Sequence, residues 1–147
     1  MKHKLHAIAG TIAMLTILIF WASTIISELF GSHAQITSVK TLVLYGMILL
    51  IPSMIATGAS GASLGKGWKL PVVGRKAKRM KIIAANGILI LIPSAFFLAS
   101  KAQAGAFDTV FYVAQAAEII AGATNITLLS LNMRDGLALR RRKQATK

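Results

Sequence analysis

The sequence predicts an all-α fold: an integral membrane four-helix antiparallel bundle with the N and C termini cytoplasmic. Of its 147 residues, 55% are hydrophobic and only 14% are charged, which is unusually apolar for a soluble domain. The apolar residues fall into four runs, each about long enough to cross a bilayer core of about 30 Å. The 17 Lys and Arg residues gather mainly on one side of these runs, as the positive-inside rule describes.

Four spans are predicted near 5–30, 39–60, 80–101 and 107–134, within one transmembrane domain covering 1–147. The alternative for the first run is a signal peptide cleaved after Ala34. Residues 7–27 carry no charge, and a run longer than about 15 residues favours a span. Pro52 and Pro93 should bend the second and third spans, because proline removes a backbone donor.

The remaining segments are predicted to connect the spans. Residues 28–40 form a polar connection, 61–81 a basic cytoplasmic loop and 135–147 a basic C-terminal tail. Pro71 and Gly74 should break any long helix in the loop.

The cations orient the chain. All but two of them lie in the N-terminal lead, the loop 61–81 or the segment from Arg134 onwards. Lys40 is left at the opposite, outer surface, where Glu28 is also placed. The net charge of +13 therefore indicates the anionic inner leaflet of a membrane as the partner of a multi-pass protein, and not nucleic acid.

The fourth span has a polar face. At 100° per residue, its polar and small residues fall within an arc of about 100°: Gln115, Glu118, Gly122, Asn125 and Asn132. Placing an ionisable side chain at this depth costs at least about 2.5–3.5 kcal/mol. With no Lys or Arg expected at that depth, Glu118 should be neutral and donate to Asn86, Asn125 or a hydroxyl.

The first span has a face of small and polar residues that is predicted to pack on the fourth span: His6, Gly10, Ala13, Thr24, Ser27 and Glu28. Such residues also serve simply to bring membrane helices close together. The predicted polar intramembrane site therefore combines residues of spans one, three and four: Glu118, Gln115, Asn125, Asn86, Thr24 and Ser27.

This site is expected to handle a proton, a cation or a small solute. One alternative is a b-type haem or quinone-linked electron-transfer subunit that uses His6 as a haem ligand. A bis-His haem would then need a homodimer, and within one chain His6 would instead pair with a Met. The other alternative is a non-catalytic accessory subunit of a larger membrane complex. The sequence has no cysteine and no catalytic triad, phosphate loop or metal-ligand cluster. The sequence therefore leaves enzymatic activity open, with its absence favoured, and indicates no catalytic residue, no metal and no cofactor beyond the candidate haem b.

Residues 46–53 (GMILLIPS) match residues 87–94 (GILILIPS). Because spans two and three run in opposite directions, the match could mark an inverted repeat of the kind found in transporters. Chance similarity between two Leu/Ile-rich spans is the alternative.

The chain also resembles a family of small uncharacterised four-span bacterial inner-membrane proteins. The resemblance rests on KLHAIAG at 4–10, SELF at 27–30, NG at 86–87 and NMRDGL at 132–137. It implies that His6, Glu28, Glu118 and the pair Arg134-Asp135 are parts of one shared structural or functional arrangement. It also implies that the chain is a multi-pass protein of the bacterial inner (plasma) membrane. It assigns none of these residues an activity.

Overall fold

The computed structural model describes residues 2–67 and 70–145, and all regular structure in these ranges is helical. Positions 68–69 of the basic loop and 146–147 of the tail lie outside the described residues, as does Met1. The prediction of an all-helical chain is confirmed. The helices are α1, Lys2–Phe30; α2, His33–Gly65; α3, Pro71–Gln103; and α4, Thr109–Ala145.

The first connection is far shorter than its polar composition predicts. Only Gly31 and Ser32 separate α1 from α2, in place of a connection at 28–40. Ser32 Oγ accepts from the Gln35 backbone N–H (3.4 Å), and the Ser32 N–H donates to Gln35 Oε1 (2.8 Å). This capping box satisfies two backbone donors and starts the helix at His33. Lys40 therefore lies about 10 Å inside α2, at 1.5 Å per residue.

The basic segment is also mostly helical. α2 continues to Gly65, and α3 begins at Pro71 instead of being broken there. A proline in the first turn is favourable, because the N–H that it lacks would have no intrahelical acceptor. Gly74 lies within the helix. The expected break of the helix at Pro71 and Gly74 is therefore wrong, and residues 61–65 and 71–81 of the predicted loop are helical. The cytoplasmic side of this segment stays a prediction.

Within α3, the helix widens just before Pro93. Residues Gly87–Leu91 form a π-helical turn, and the Ile92 N–H bonds to the Gly87 carbonyl. Pro52 in α2, by contrast, sits in regular α-helix. The matching segments 46–53 and 87–94 therefore differ in backbone form, which favours chance similarity over a repeat. The bend expected at each proline stays a prediction.

α1 packs mainly along α2, although its small and polar face was predicted to pack on the fourth span. Residues early in α1 meet residues late in α2: His6 Nδ1 lies 3.2 Å from the Thr57 carbonyl oxygen, and Gly10 faces the Thr57 side chain. The predicted pairing with α4 is thus wrong for His6 and Gly10. A two-residue turn forces consecutive helices side by side, whatever other partner the face would suit.

Contact between α1 and α4 does occur, through Met14 and Trp21. Ser130 Oγ donates to Met14 Sδ (3.8 Å), and Trp21 Nε1 donates to the Ile119 carbonyl (2.9 Å). Apolar packing between the helices is concentrated in three buried clusters: Ile36, Leu98, Ala102 and Phe111; Val43, Met47 and Ala95; and Ile17, Ile83 and Leu129.

α1, α2 and α3 are each long and apolar enough to cross a membrane. Their outward faces carry large apolar side chains such as Ile48 and Leu89, which are 76% and 73% exposed; contiguous exposure of this kind suits lipid and not water. α4 is less apolar than these three helices because of its polar face. Its outward face, with Val113 and Ile120, is nevertheless apolar, and a fourth span stays a prediction.

Candidate functional site

The polar face of α4 lies against the other helices. Gln115, Asn125 and Asn132 are buried, and Glu118 is largely buried. They are separated by three or seven positions along the sequence, close to one or two helical turns, so they form one stripe along the helix. The structure divides the stripe into three separate groups, each with its own partners on α1, α2 or α3.

The central contact is a buried ion pair between Lys40 and Glu118. Lys40 Nζ lies 2.6 Å from Glu118 Oε2, and the two side chains are 1% and 13% exposed. Two expectations are corrected here: Lys40 is not a surface charge, and Glu118 does have a cationic partner. The reason is the early start of α2, which carries Lys40 inward to the level of Glu118. Glu118 Oε2 accepts from both the Lys40 ammonium group and the Gln115 amide. Two donors on one oxygen suit an ionised carboxylate, whereas a neutral carboxyl that donates was expected.

Gln115 orients this pair from one turn away on α4. Its Nε2 donates to the same Glu118 Oε2 (2.9 Å), and its side chain is 3% exposed. Its Oε1 is buried and accepts from no donor among the described residues. Because a carboxylate can only accept, the amide must present Nε2 to Glu118, and this fixes which way Oε1 faces.

Glu28 belongs to the same neighbourhood, although it was assigned to the outer surface. Its Oε1 is buried, and no donor in the described part of the chain reaches it. Lys40, Glu118 and His33 are the charged or titratable groups close enough to act on its carboxyl. The site is therefore built from α1, α2 and α4, and it contains two acids and one lysine.

Thr24 and Ser27 lie on the α1 side of the site. Thr24 and Glu118 line a cavity of about 60 Å³ that is otherwise mainly apolar, with Ile17, Trp21 and Val43 among its walls. Ser27 is buried, and its hydroxyl donates to the Thr24 carbonyl (3.0 Å). Thr24 thus joins the predicted site directly, while the hydrogen bond of Ser27 stays within α1.

Asn86 and Asn125 form a second group, apart from Glu118. Asn86 Nδ2 donates to Asn125 Oδ1 and to the Ala121 carbonyl, both at 2.8 Å. Asn125 Nδ2 donates to the Ile83 carbonyl (3.4 Å). The expectation that Glu118 donates to either asparagine is wrong, because each amide is engaged between α3 and α4.

The third group lies where the basic first turns of α3 meet the C-terminal part of α4, and it was not predicted from the sequence. Arg79 pairs with Asp135 (2.7 Å) and also donates to Asn132 Oδ1 (3.4 Å). The Arg79 guanidinium holds the pKa of the Asp135 carboxyl below its usual range. Asp135 follows Asn132 by three positions, which places both on one helix face; this spacing was the available signal. Arg79 had been placed in a solvated loop.

The candidate haem ligand His6 lies in the α1–α2 interface. Ser60 Oγ donates to the Ala56 carbonyl, so it can accept from His6 Nδ1, 3.1 Å away. The same Nδ1–H faces the Thr57 carbonyl oxygen. Among the described residues, no group of three or more metal-ligating side chains comes together.

These observations define a class: an all-helical protein with several helices fit to cross a membrane and a charged site between them. Comparison with protein-family models, curated proteins and solved structures found no match to this chain.

Proposed function

We propose that this chain is a four-span protein of the bacterial inner membrane, with both termini cytoplasmic, that handles a proton, a cation or a small polar solute at the Lys40–Glu118 site. The strongly one-sided distribution of Lys and Arg supports this orientation. The apolar outward face of α4 supports the fourth span, and the resemblance to small four-span bacterial proteins agrees with the whole.

The observation that carries the proposal is the burial of the Lys40–Glu118 pair. Removing two charges from water costs several kcal/mol per ion. Well-packed apolar residues in the same place would often be as stable or more stable. Stability alone is therefore a weak explanation for this pair, and ionisable groups between membrane helices typically mark ion or proton pathways, which supports a role in ion handling.

The proposal is tested by ion flux. Full-length protein in liposomes should dissipate an imposed proton or sodium gradient faster than protein-free liposomes do. Glu118→Gln, which keeps the shape and an acceptor for Lys40, should lower this flux strongly. Asp108→Asn is the matched control, because Asp108 is exposed and pairs with Lys101 outside the site. Absence of flux in the wild type, or equal flux in Glu118→Gln, would contradict the proposal.

One observation favours the haem alternative. Imidazoles that bind metals usually donate their other ring N–H to a carbonyl or carboxylate, and His6 Nδ1 faces the Thr57 carbonyl in this way. The absorption spectrum of the purified protein tests this function directly. A Soret band that is lost in His6→Ala would establish haem binding, and a spectrum without the band would exclude it.

The basic segment supports an interaction with anionic lipid. Arg75, Lys78 and Lys81 are exposed on the first turns of α3, and each cation near an anionic surface contributes about 1 kcal/mol. The protein should therefore unfold at a higher temperature in anionic than in neutral nanodiscs. Equal melting temperatures in the two lipids would remove this part of the proposal.

A further inference from the structure

Two buried oxygen atoms near the Lys40–Glu118 pair have no donor among the described residues: Glu28 Oε1 and Gln115 Oε1. A buried acceptor without a partner costs about 1–3 kcal/mol, and more if it is charged. Both atoms are oxygens that accept, and so neither can satisfy the other while Glu28 is ionised. Something that donates or is positively charged would satisfy both.

The register of α1 against α4 sets the two residues at one level. Met14 contacts Ser130 near one end of the interface, and Trp21 contacts Ile119 further along. Positions on α4 therefore decrease in number as positions on α1 increase. Thr24 and Glu118, which line the same cavity, continue this register.

One further turn along each helix leads from Thr24 to Glu28 and from Glu118 back to Gln115. The two unsatisfied oxygens are thus contributed by side chains at the same level of facing helices. The Gln115 amide is held by its donation to Glu118 (2.9 Å), so its oxygen cannot turn away without breaking that bond.

The charges at this level do not balance. Glu28 and Glu118 are two acids and Lys40 is one base, which leaves one negative charge when all three are ionised and the His33 imidazole is neutral. Lys40 is committed to Glu118 at 2.6 Å. Glu28 is half-buried, so water screens its charge only in part, and one added positive charge at Glu28 would neutralise the group.

We propose that Glu28 Oε1 and Gln115 Oε1 together form a site for one unit of positive charge: a proton held by the Glu28 carboxyl, or a small monovalent cation bound by the two oxygens. This inference deepens the proposed function, since it names the group that accepts the charge and the chemical class of the ligand. Glu28 is the accepting group, and Glu118 holds Lys40 and Gln115 in position. His33, Lys40 and Glu118 are the titratable groups that act on Glu28.

The proton is tested by infrared spectroscopy of the full-length protein at neutral pH. A protonated carboxyl has a separate C=O stretching band. The two aspartates should not contribute to it, because Lys101 lowers the pKa of Asp108 and Arg79 lowers that of Asp135. The band should disappear in Glu28→Gln and persist in Asp108→Asn. A band that persists in Glu28→Gln would overturn the proposal.

The cation is tested by calorimetric titration of the same protein with sodium and with potassium chloride. Gln115→Leu should weaken the affinity by about tenfold or more, the value of one hydrogen bond or ligand to a charge. Gln103→Leu is the control, because Gln103 is exposed and donates to Thr41. Both variants are first checked for wild-type melting behaviour, and Glu28→Gln supplies the test if Gln115→Leu does not fold.

The outcomes separate the ligands and the two proposals. An infrared band without cation binding identifies the proton, and sodium or potassium binding without a band identifies the cation. If the wild-type protein shows neither an infrared band nor cation binding, the inference is overturned. A band or binding that depends on Glu28, together with no flux in liposomes, would keep this site and reject the proposed function. Wild-type flux that is unchanged in Glu28→Gln would keep the proposed function and reject this site.

Discussion

Replacing Lys40 by Met would leave the Glu118 carboxylate with the Gln115 amide as its remaining donor among the described residues. Because Lys40 is 1% exposed and Glu118 13%, the small values typical of surface pairs do not apply. Breaking a buried pair on one side costs about 3–5 kcal/mol. The double variant Lys40→Met/Glu118→Leu removes both charges. Its free energy of unfolding should lie between that of the wild type and a value about 4 kcal/mol higher.

The two single variants and the double variant form a cycle measured by reversible unfolding in detergent. If each single variant loses about 3–5 kcal/mol and the double variant loses nothing, the expected coupling is at least about 6 kcal/mol, well above the additivity error of about 0.5 kcal/mol. The pair Lys101–Asp108, which is far more exposed, is the matched control. Its coupling should be much smaller because water screens it. Additive costs at Lys40 and Glu118 would refute the buried pair.

Two further predictions concern packing and pH. Gly46→Ala should destabilise the protein, because a Cβ there would lie 2.3 Å from Phe20 Cζ; overpacking costs about 1–3 kcal/mol, against about 0.5–1 kcal/mol gained by replacing a helical glycine. Gly58→Ala, with no atom within 4 Å, should stabilise it in the same melting assay. The hydrogen bond from Lys101 lowers the pKa of Asp108. The charged Asp108 therefore stabilises the protein at pH values above its pKa in the unfolded state, and this stabilisation is lost as the pH falls through its pKa in the folded state. Melting curves of wild type and Asp108→Asn should therefore converge in acid.

Each of these two predictions has a clear contrary result. Equal melting temperatures for the alanine variants at positions 46 and 58 would show that Phe20 does not pack closely against Gly46. A difference between wild type and Asp108→Asn that is constant down to the lowest pH would show that the charge of Asp108 contributes nothing.

The sequence predicts the helices well because each contains a long apolar run. The first three predicted spans fall inside α1, α2 and α3, and α4 begins at Thr109, two residues later than predicted. Asp108 explains that start, since its carboxylate accepts from the Phe111 N–H (2.9 Å) and caps the helix. The polar face of α4 was likewise predictable, since it depends only on the helical period.

The partner of Glu118 was missed for a local reason. The polar composition of 28–40 was interpreted as a connection, and Lys40 was placed at its end. Ser32 and Gln35 carry the Ser-x-x-Gln spacing of a capping box, and this signal would have started α2 at His33 and moved Lys40 inward. The contact itself could not have been predicted, because the periodicity of one helix does not identify which neighbour packs on it.

The assignment of α1 to α4 failed for a related reason. Small and polar residues such as His6 and Gly10 let any helix approach closely, so the face alone does not select a partner. The short turn at Gly31 and Ser32 was the stronger constraint, and it was hidden by the same misplaced connection. Thr24 and Glu28, further along the same face, do lie at the site beside α4.

The most direct test of the central claim, that the Lys40–Glu118 pair is kept for ion handling and not for stability, is the flux of the double variant Lys40→Met/Glu118→Leu in liposomes. The variant should unfold at a temperature equal to or above that of the wild type, because both buried charges are removed together. It should nevertheless show no more proton or sodium flux than protein-free liposomes. A well-folded double variant with wild-type flux would contradict the claim.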